Sequence, residues 1–150
     1  MKAHIINVSI MGLLLLSILA GCSPKAAPSI SVESSYGRPS PSVPGAGGLF
    51  MLIKNTGAAP DKLVSGKSDA CGMVEIHEMV MKADGTKGMN LVPNPVEIPA
   101  GGQLELKDGG MHIMCMMVKE DLFKVGSKIN LTLAFEKSGE KTVSVDIRDK

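Results

Sequence analysis

KINLTLAFEKSGEKTVSVDI, residues 128–147, alternates apolar and polar side chains on either side of a turn. Ile129, Leu131, Leu133 and Phe135 share one face of an extended segment, and Asn130, Thr132 and Ala134 the other. After Ser138-Gly139 the pattern returns in Val143, Val145 and Ile147. A period of two marks a half-buried strand, because successive side chains on a strand point to opposite faces. Two such runs joined through a glycine turn predict a β-hairpin.

Upstream, the same reading repeats. Leu49–Ile53 is an apolar run that stops at Asn55-Thr56-Gly57, Met73–Met81 alternates, and Gln103–Lys107 follows the turn Pro99-Ala100-Gly101-Gly102. Met111–Val118 reads as a further strand, Ile30 and Val32 as a short first one, and Lys119–Val125 as one helical turn. There is no internal repeat. Roughly seven to nine short strands in about 100 residues predict an all-β domain, a β-sandwich or small Greek-key barrel.

With 150 residues the chain has room for one domain with a modest core. Its 16 Lys plus Arg nearly balance 15 Asp plus Glu, and no basic run occurs. That excludes the clustered positive charge on which nucleic-acid binding depends. The oddity is 11 Met beside three Phe, one Tyr and no Trp, since Met specifies a packed core poorly.

Residues 1–21 carry Lys2, an uncharged apolar run from Ile5 to Gly21 and small residues at its end, the pattern of a secretory signal peptide. The run closes on Leu19-Ala20-Gly21-Cys22, which resembles a bacterial lipobox whose Cys is acylated. The expectation is an exported protein held to the membrane by acyl chains rather than by a helix. Residues 22–29 then form a flexible tether, and residues 30–150 the domain. Ser23 after the Cys is compatible with an outer-membrane destination in a Gram-negative cell, and a Gram-positive surface fits equally. Cys71 and Cys115 remain, able to pair in an oxidising compartment or to lie buried as small hydrophobes.

The chemistry-bearing residues lie on two strands. Beyond the signal segment there are two histidines, each followed two residues later by Met: His77-Glu78-Met79 and His112-Ile113-Met114. Positions i and i+2 of a strand share a face. Glu75, His77, Met79 and Met81 therefore lie together on one strand, and His112, Met114 and Met116 on the other, with Cys115 on the opposite face. Thioether sulfur is soft and uncharged, suited to Cu(I) and poor for Mg, Ca or Mn, while imidazole accepts copper in either oxidation state. Zinc sites favour Cys, His and carboxylate instead. Two His and two Met would hold a monovalent ion in a neutral ligand set, exchangeable without thiol deprotonation; Cu(II) is compatible with the imidazoles. Proton competition for imidazole predicts weaker copper affinity as pH falls through about 6.5. No Ser-His-Asp order, phosphate loop, paired-carboxylate motif or Cys-x-x-Cys occurs, so an enzyme is not indicated.

LFMLIKNTG (49–57), VEIHEMVM (74–81), VEIPAGGQLELKDGGMHIMCM (96–116) and LTLAFEKSG (131–139) resemble the periplasmic copper chaperones of the PCu(A)C type, over nearly the whole span from Ile30 to Ile147. The resemblance implies a cupredoxin-like β-barrel that binds Cu(I) and passes it towards cytochrome oxidase, often beside a Sco-type thiol protein. It implies His77, His112 and Met114 as ligands, with a Met about eleven residues after the first His. Met89 fits that role, with Met79 or Met81 as substitutes. The family's Met-x-Met before Pro is here Met89-Asn90-Leu91-Val92-Pro93, which sets Leu91 at one usual ligand position. Cys71 and Cys115 stand where the family has ordinary packing residues, so they read as a structural disulfide or buried thiols. The expected product is a monomeric, lipid-anchored copper carrier. Sequestration for copper tolerance, or a structural lipoprotein without metal, are the alternatives.

Overall fold

A computed structural model describes residues 26–149. The expected signal peptide, the acylated Cys22 and the start of the tether lie outside the described residues.

All regular structure among the described residues is β: β1 (Ile30–Pro39), β2 (Ala46–Asn55), β3 (Asp61–Lys67), β4 (Cys71–Met81), β5 (Lys87–Leu91), β6 (Val96–Ile98), β7 (Gln103–Leu106), β8 (Met111–Val118), β9 (Lys128–Phe135) and β10 (Gly139–Ile147). They form one hydrogen-bonded sheet in the order β5-β4-β8-β2-β1-β10-β9-β3-β6, with β7 on the second half of β2. The all-β, cupredoxin-like Greek-key class expected from the sequence is the one that forms. The β9–β10 hairpin pairs from Phe135↔Gly139 to Lys128↔Asp146. Its alternating residues Ile129, Leu131, Leu133, Phe135, Val145 and Ile147 are all buried. β1 pairs with β10 in parallel and with β2 antiparallel, linking the hairpin to β2.

β2 is the branch point. Ala46–Leu49 pairs with β8, and Met51–Lys54 with β7. Leu49 and Ile53 on its inner face are fully buried against Leu63, Ile98, Leu106, Ile113, Leu131 and Leu133. The wing β5-β4-β8 thus extends from β2 with its inner face on this core, and His77, Met79, His112 and Met114 on its outer face.

Two buried polar residues brace the loops. Asn55 Oδ1 accepts from the backbone N–H of Ser29 and Gly57, at 3.0 and 3.1 Å, while its Nδ2 donates to the carbonyls of Ala59 and Pro99, at 2.8 and 3.1 Å. Ser29, in the stretch read as tether, is therefore fixed to the domain. Asp61 Oδ1 accepts from Lys62 N–H at 2.8 Å and Lys137 N–H at 2.9 Å, and Oδ2 from Ser138 N–H at 2.9 Å. Burial pushes this carboxyl up, but the Ser138 side chain and the three backbone donors outweigh it and hold it below the usual carboxylate range.

The structure departs from the alternation pattern in a few places. β3, β5 and β6 are strands that the sequence did not signal, because they are short or carry polar residues at inner positions, Asp61 among them. β1 runs on to Pro39 through Ser, Gly and Arg, with a register shift between Glu33 and Tyr36 that accommodates Ser34 at φ 56°. Lys119–Val125 forms no helix; Lys119 O accepts from Leu122 N–H and Phe123 N–H, a single hydrogen-bonded turn. Cys71 and Cys115 are joined by a disulfide with Cα atoms 5.2 Å apart, and Cys115 is wholly buried in the core cluster.

Candidate metal centre

β4 and β8 lie side by side, and their register sets His77 directly opposite His112 and Glu75 opposite Met114. β5 flanks β4 on its other edge, setting Met89 opposite Met79 and Leu91 opposite His77. Directly opposed residues of an antiparallel pair share a face, with Cβ atoms about 4.5–5.5 Å apart. Both imidazoles and three thioethers therefore converge on the outer face of the wing. Met79, Met89, His112 and Met114 line one cleft of about 520 Å³. His112 and Met114 form its buried end, at 6% and 3% exposure, while Met79 and Met89 are half-buried. The His77 and His112 ring centroids are 6.4 Å apart with planes at 67°.

The strand pair also fixes the rings. In the β7–β8 turn Gly109 adopts φ 76°, a conformation that favours glycine, and the next carbonyl, Gly110 O, points back into the wing. It accepts from His112 Nδ1 at 2.9 Å and from Met79 N–H at 3.2 Å, tying β4 to the turn and orienting the ring at once. His77 Nε2 lies 3.0 Å from Glu75 Oε2. Its Nδ1 is buried and has no hydrogen-bond partner among the described residues. An orphaned buried polar atom in a native fold calls for an explanation, and an absent ligand is one of the accepted ones.

Aromatic residues wall the cleft. Phe50, on β2, stands with its ring centroid 6.0 Å from that of His112, backed by Tyr36 at 5.0 Å and by the Arg38 guanidinium at 5.4 Å. A side chain at Gly48, which opposes Met114 in register, would bring its Cβ within 2.7 Å of the Phe50 ring. Glycine at this position therefore keeps the wall in place. Arg38 pairs with Asp108 at the rim.

The family model described as "Putative lipoprotein LpqE-like" matches residues 30–147. The chain belongs to the LpqE-like family. Lxx21020 of Leifsonia xyli subsp. xyli, which carries the same lipoprotein description, is 37% identical over 100 residues, 67% of this chain. The matched region spans 59% of that relative's length. Among solved structures, the apo PCuAC domain from PmoF1 superimposes with a TM-score of 0.66 at 27% identity, covering 81% of this LpqE-like chain and 94% of that one. The solution structure of CuI-DR1885 from Deinococcus radiodurans gives a TM-score of 0.64 at 26% identity, covering 86% of this chain and 84% of that one.

Of the residues singled out from sequence, the LpqE-like fold brings His77, Met79, Met89, His112 and Met114 to one face; His77 stands opposite His112 but is not itself among the residues lining the cleft. Met81 opposes Lys87 at the end of the β4–β5 pair, is 66% exposed and does not line the cleft. Leu91 opposes His77 with its side chain largely exposed. Sequence reasoning placed Glu75 on the ligand face without giving it a role; the period-two signal was present. The Gly110 carbonyl and the Phe50 wall carried no such signal, because both depend on how turns and strands meet.

Proposed function

We propose that this chain is an extracytoplasmic Cu(I) metallochaperone, lipid-anchored through Cys22, that captures copper with His77, His112, Met114 and a thioether from Met89 or Met79. The observation that carries the reading is the cross-strand apposition of His77 and His112, with Met79 and Met89 paired beside them and the Nδ1 of His77 buried without a partner.

The donor set fits a soft monovalent ion. Among the described residues no three His, Cys, Asp or Glu side chains group as a metal site, and the two described cysteines are tied up in a disulfide. That leaves imidazole and thioether, which favour Cu(I) over zinc or hard cations. The Cu(I)-bound relative from Deinococcus radiodurans supports the same cargo. His112 and Met114 hold the ion at the buried end, oriented by Gly110 O and walled by Phe50. The thioether from Met89 or Met79, at the half-exposed mouth, is the ligand a client's donor would replace first. Transfer then proceeds by ligand exchange with no chemical conversion, so no catalysis is required. This half-open geometry favours delivery over sequestration. The client would be a copper-accepting protein such as an oxidase subunit or a Sco-type protein, placing the chain in cytochrome oxidase assembly. The anchor would hold a monomeric carrier on the periplasmic or outer cell face.

Competition with a chromophoric Cu(I) chelator under reductant tests the reading. Wild type takes up one tight equivalent, and a His77→Ala/His112→Ala/Met114→Ala variant does not. Equal uptake by both proteins, or none by wild type, would return the Met-rich strands to a packing role.

A further inference from the structure

We propose that Glu75 is a positioning residue that fixes which nitrogen of His77 is offered to the metal, and that the two histidines bind through different ring nitrogens: Nδ1 in His77 and Nε2 in His112. The identity of the metal rests on the copper-carrier reading; the assignment of the nitrogens does not.

Glu75 precedes His77 by two residues on the same strand face and opposes Met114 across the β4–β8 pair. Its Oε2 lies 3.0 Å from His77 Nε2. An ionised carboxylate can only accept, so Nε2 carries the ring proton and Nδ1 the lone pair. That Nδ1 is the atom left buried and unpartnered. His112 is held the opposite way. Its Nδ1 lies 2.9 Å from Gly110 O, a carbonyl that can only accept, so Nδ1 is the donor and the lone pair is on Nε2. Opposite tautomers on two cross-strand neighbours are thus each imposed by an acceptor that the ring cannot turn into a donor.

A metal-ligating His whose other nitrogen donates to a carboxylate or carbonyl is oriented and made more basic by that partner. The two partners here differ in one respect. Gly110 O is neutral and fixed by the turn, whereas Glu75 sets a negative charge beside an otherwise neutral ligand set. Glu75 is therefore the group that balances the charge of a bound monovalent cation, and His77 is the ligand through which it acts.

Long-range 1H–15N correlation on the histidine-labelled, metal-free full chain reads both tautomers. The expected spectra show His77 protonated at Nε2 and His112 at Nδ1. On addition of Cu(I), the shift is expected at His77 Nδ1 and His112 Nε2. Glu75→Ala should weaken Cu(I) binding by about 10–100-fold, the usual effect of losing an outer-shell partner, and Glu75→Gln by less, because it keeps an acceptor without the charge. His77 protonated at Nδ1 in the metal-free wild type would overturn the proposal, as would Cu(I) affinity unchanged in Glu75→Ala. A wild type that binds no Cu(I) defeats the copper reading instead, and the metal-free spectra still decide the tautomers.

Discussion

The Cys71–Cys115 bridge gives the most exposed prediction, because it separates stability from metal binding. The two cysteines are 44 positions apart and join the start of β4 to the middle of β8. Cross-linking a loop of that length removes chain entropy from the unfolded state worth about 4 kcal/mol. Truncating the fully buried Cys115 to Ala adds about 1 kcal/mol in lost contacts. Unfolding a domain of this size carries an entropy of about 0.25 kcal/mol/K, from about 2.1 cal/mol/K per residue, so the combined loss of about 5 kcal/mol lowers Tm by about 20 °C. The assay is urea and thermal unfolding of Cys71→Ala/Cys115→Ala beside wild type, with Cu(I) competition on the folded variant. Cys115 opposes Val74 and packs in the core, on the face away from His112 and Met114, so Cu(I) affinity should stay within about threefold, a shift of less than 1 kcal/mol. A stability loss under about 1 kcal/mol would refute the constraint argument. A collapse of Cu(I) affinity in a variant that remains folded would refute the facing argument and bring sulfur from this pair into the site.

Asp61→Asn keeps one accepting oxygen for three backbone donors and sets an amide NH2 against Ser138 N–H, which should cost about 2–4 kcal/mol in urea unfolding. The Asp61 carboxyl is held below its ordinary value in the fold, so its contribution is complete above the unfolded-state value of about 4 and is lost as pH falls from there through the lower folded value. Wild type should therefore lose stability below about pH 4 more steeply than Asp61→Asn, as read by unfolding midpoints across that range. Asn55→Ala strands the donors and acceptors of Ser29, Gly57, Ala59 and Pro99, and should cost about 3–4 kcal/mol by the same measurement. Met89→Ala or Met79→Ala, whichever removes the fourth ligand, should weaken Cu(I) binding by about tenfold, while Met81→Ala, outside the cleft, changes it by less than about twofold. Competition titration of the three variants separates them.

How far the sequence carried the account follows from what each feature depends on. The β9–β10 hairpin was legible because alternation and a glycine turn are local, and Ile129 to Phe135 bury as the period requires. The same period put His77 with Met79, and His112 with Met114, on shared faces. That β4 lies against β8, so that the two faces become one, is a matter of sheet order with no local signal. Met89 shows the same limit. Its distance from His77 suggested a ligand, with Met79 or Met81 as a substitute; the β4–β5 register, which alternation cannot supply, sets Met79 and Met89 opposite each other. β3 escaped notice because an inner position holds Asp61, two of whose three backbone donors, Lys137 and Ser138, lie more than 70 residues away. The cysteine pairing was open for a similar reason, since it requires the meeting of β4 and β8 that alternation cannot supply.

The ligand set itself is the central claim, and copper K-edge X-ray absorption on the Cu(I)-loaded protein reads it directly. The spectrum should show imidazole scattering from two histidines together with a sulfur shell from methionine, the sulfur shell shrinking in Met114→Ala and the imidazole signal in His77→Ala. A first shell of light atoms alone, unchanged by either substitution, would contradict it.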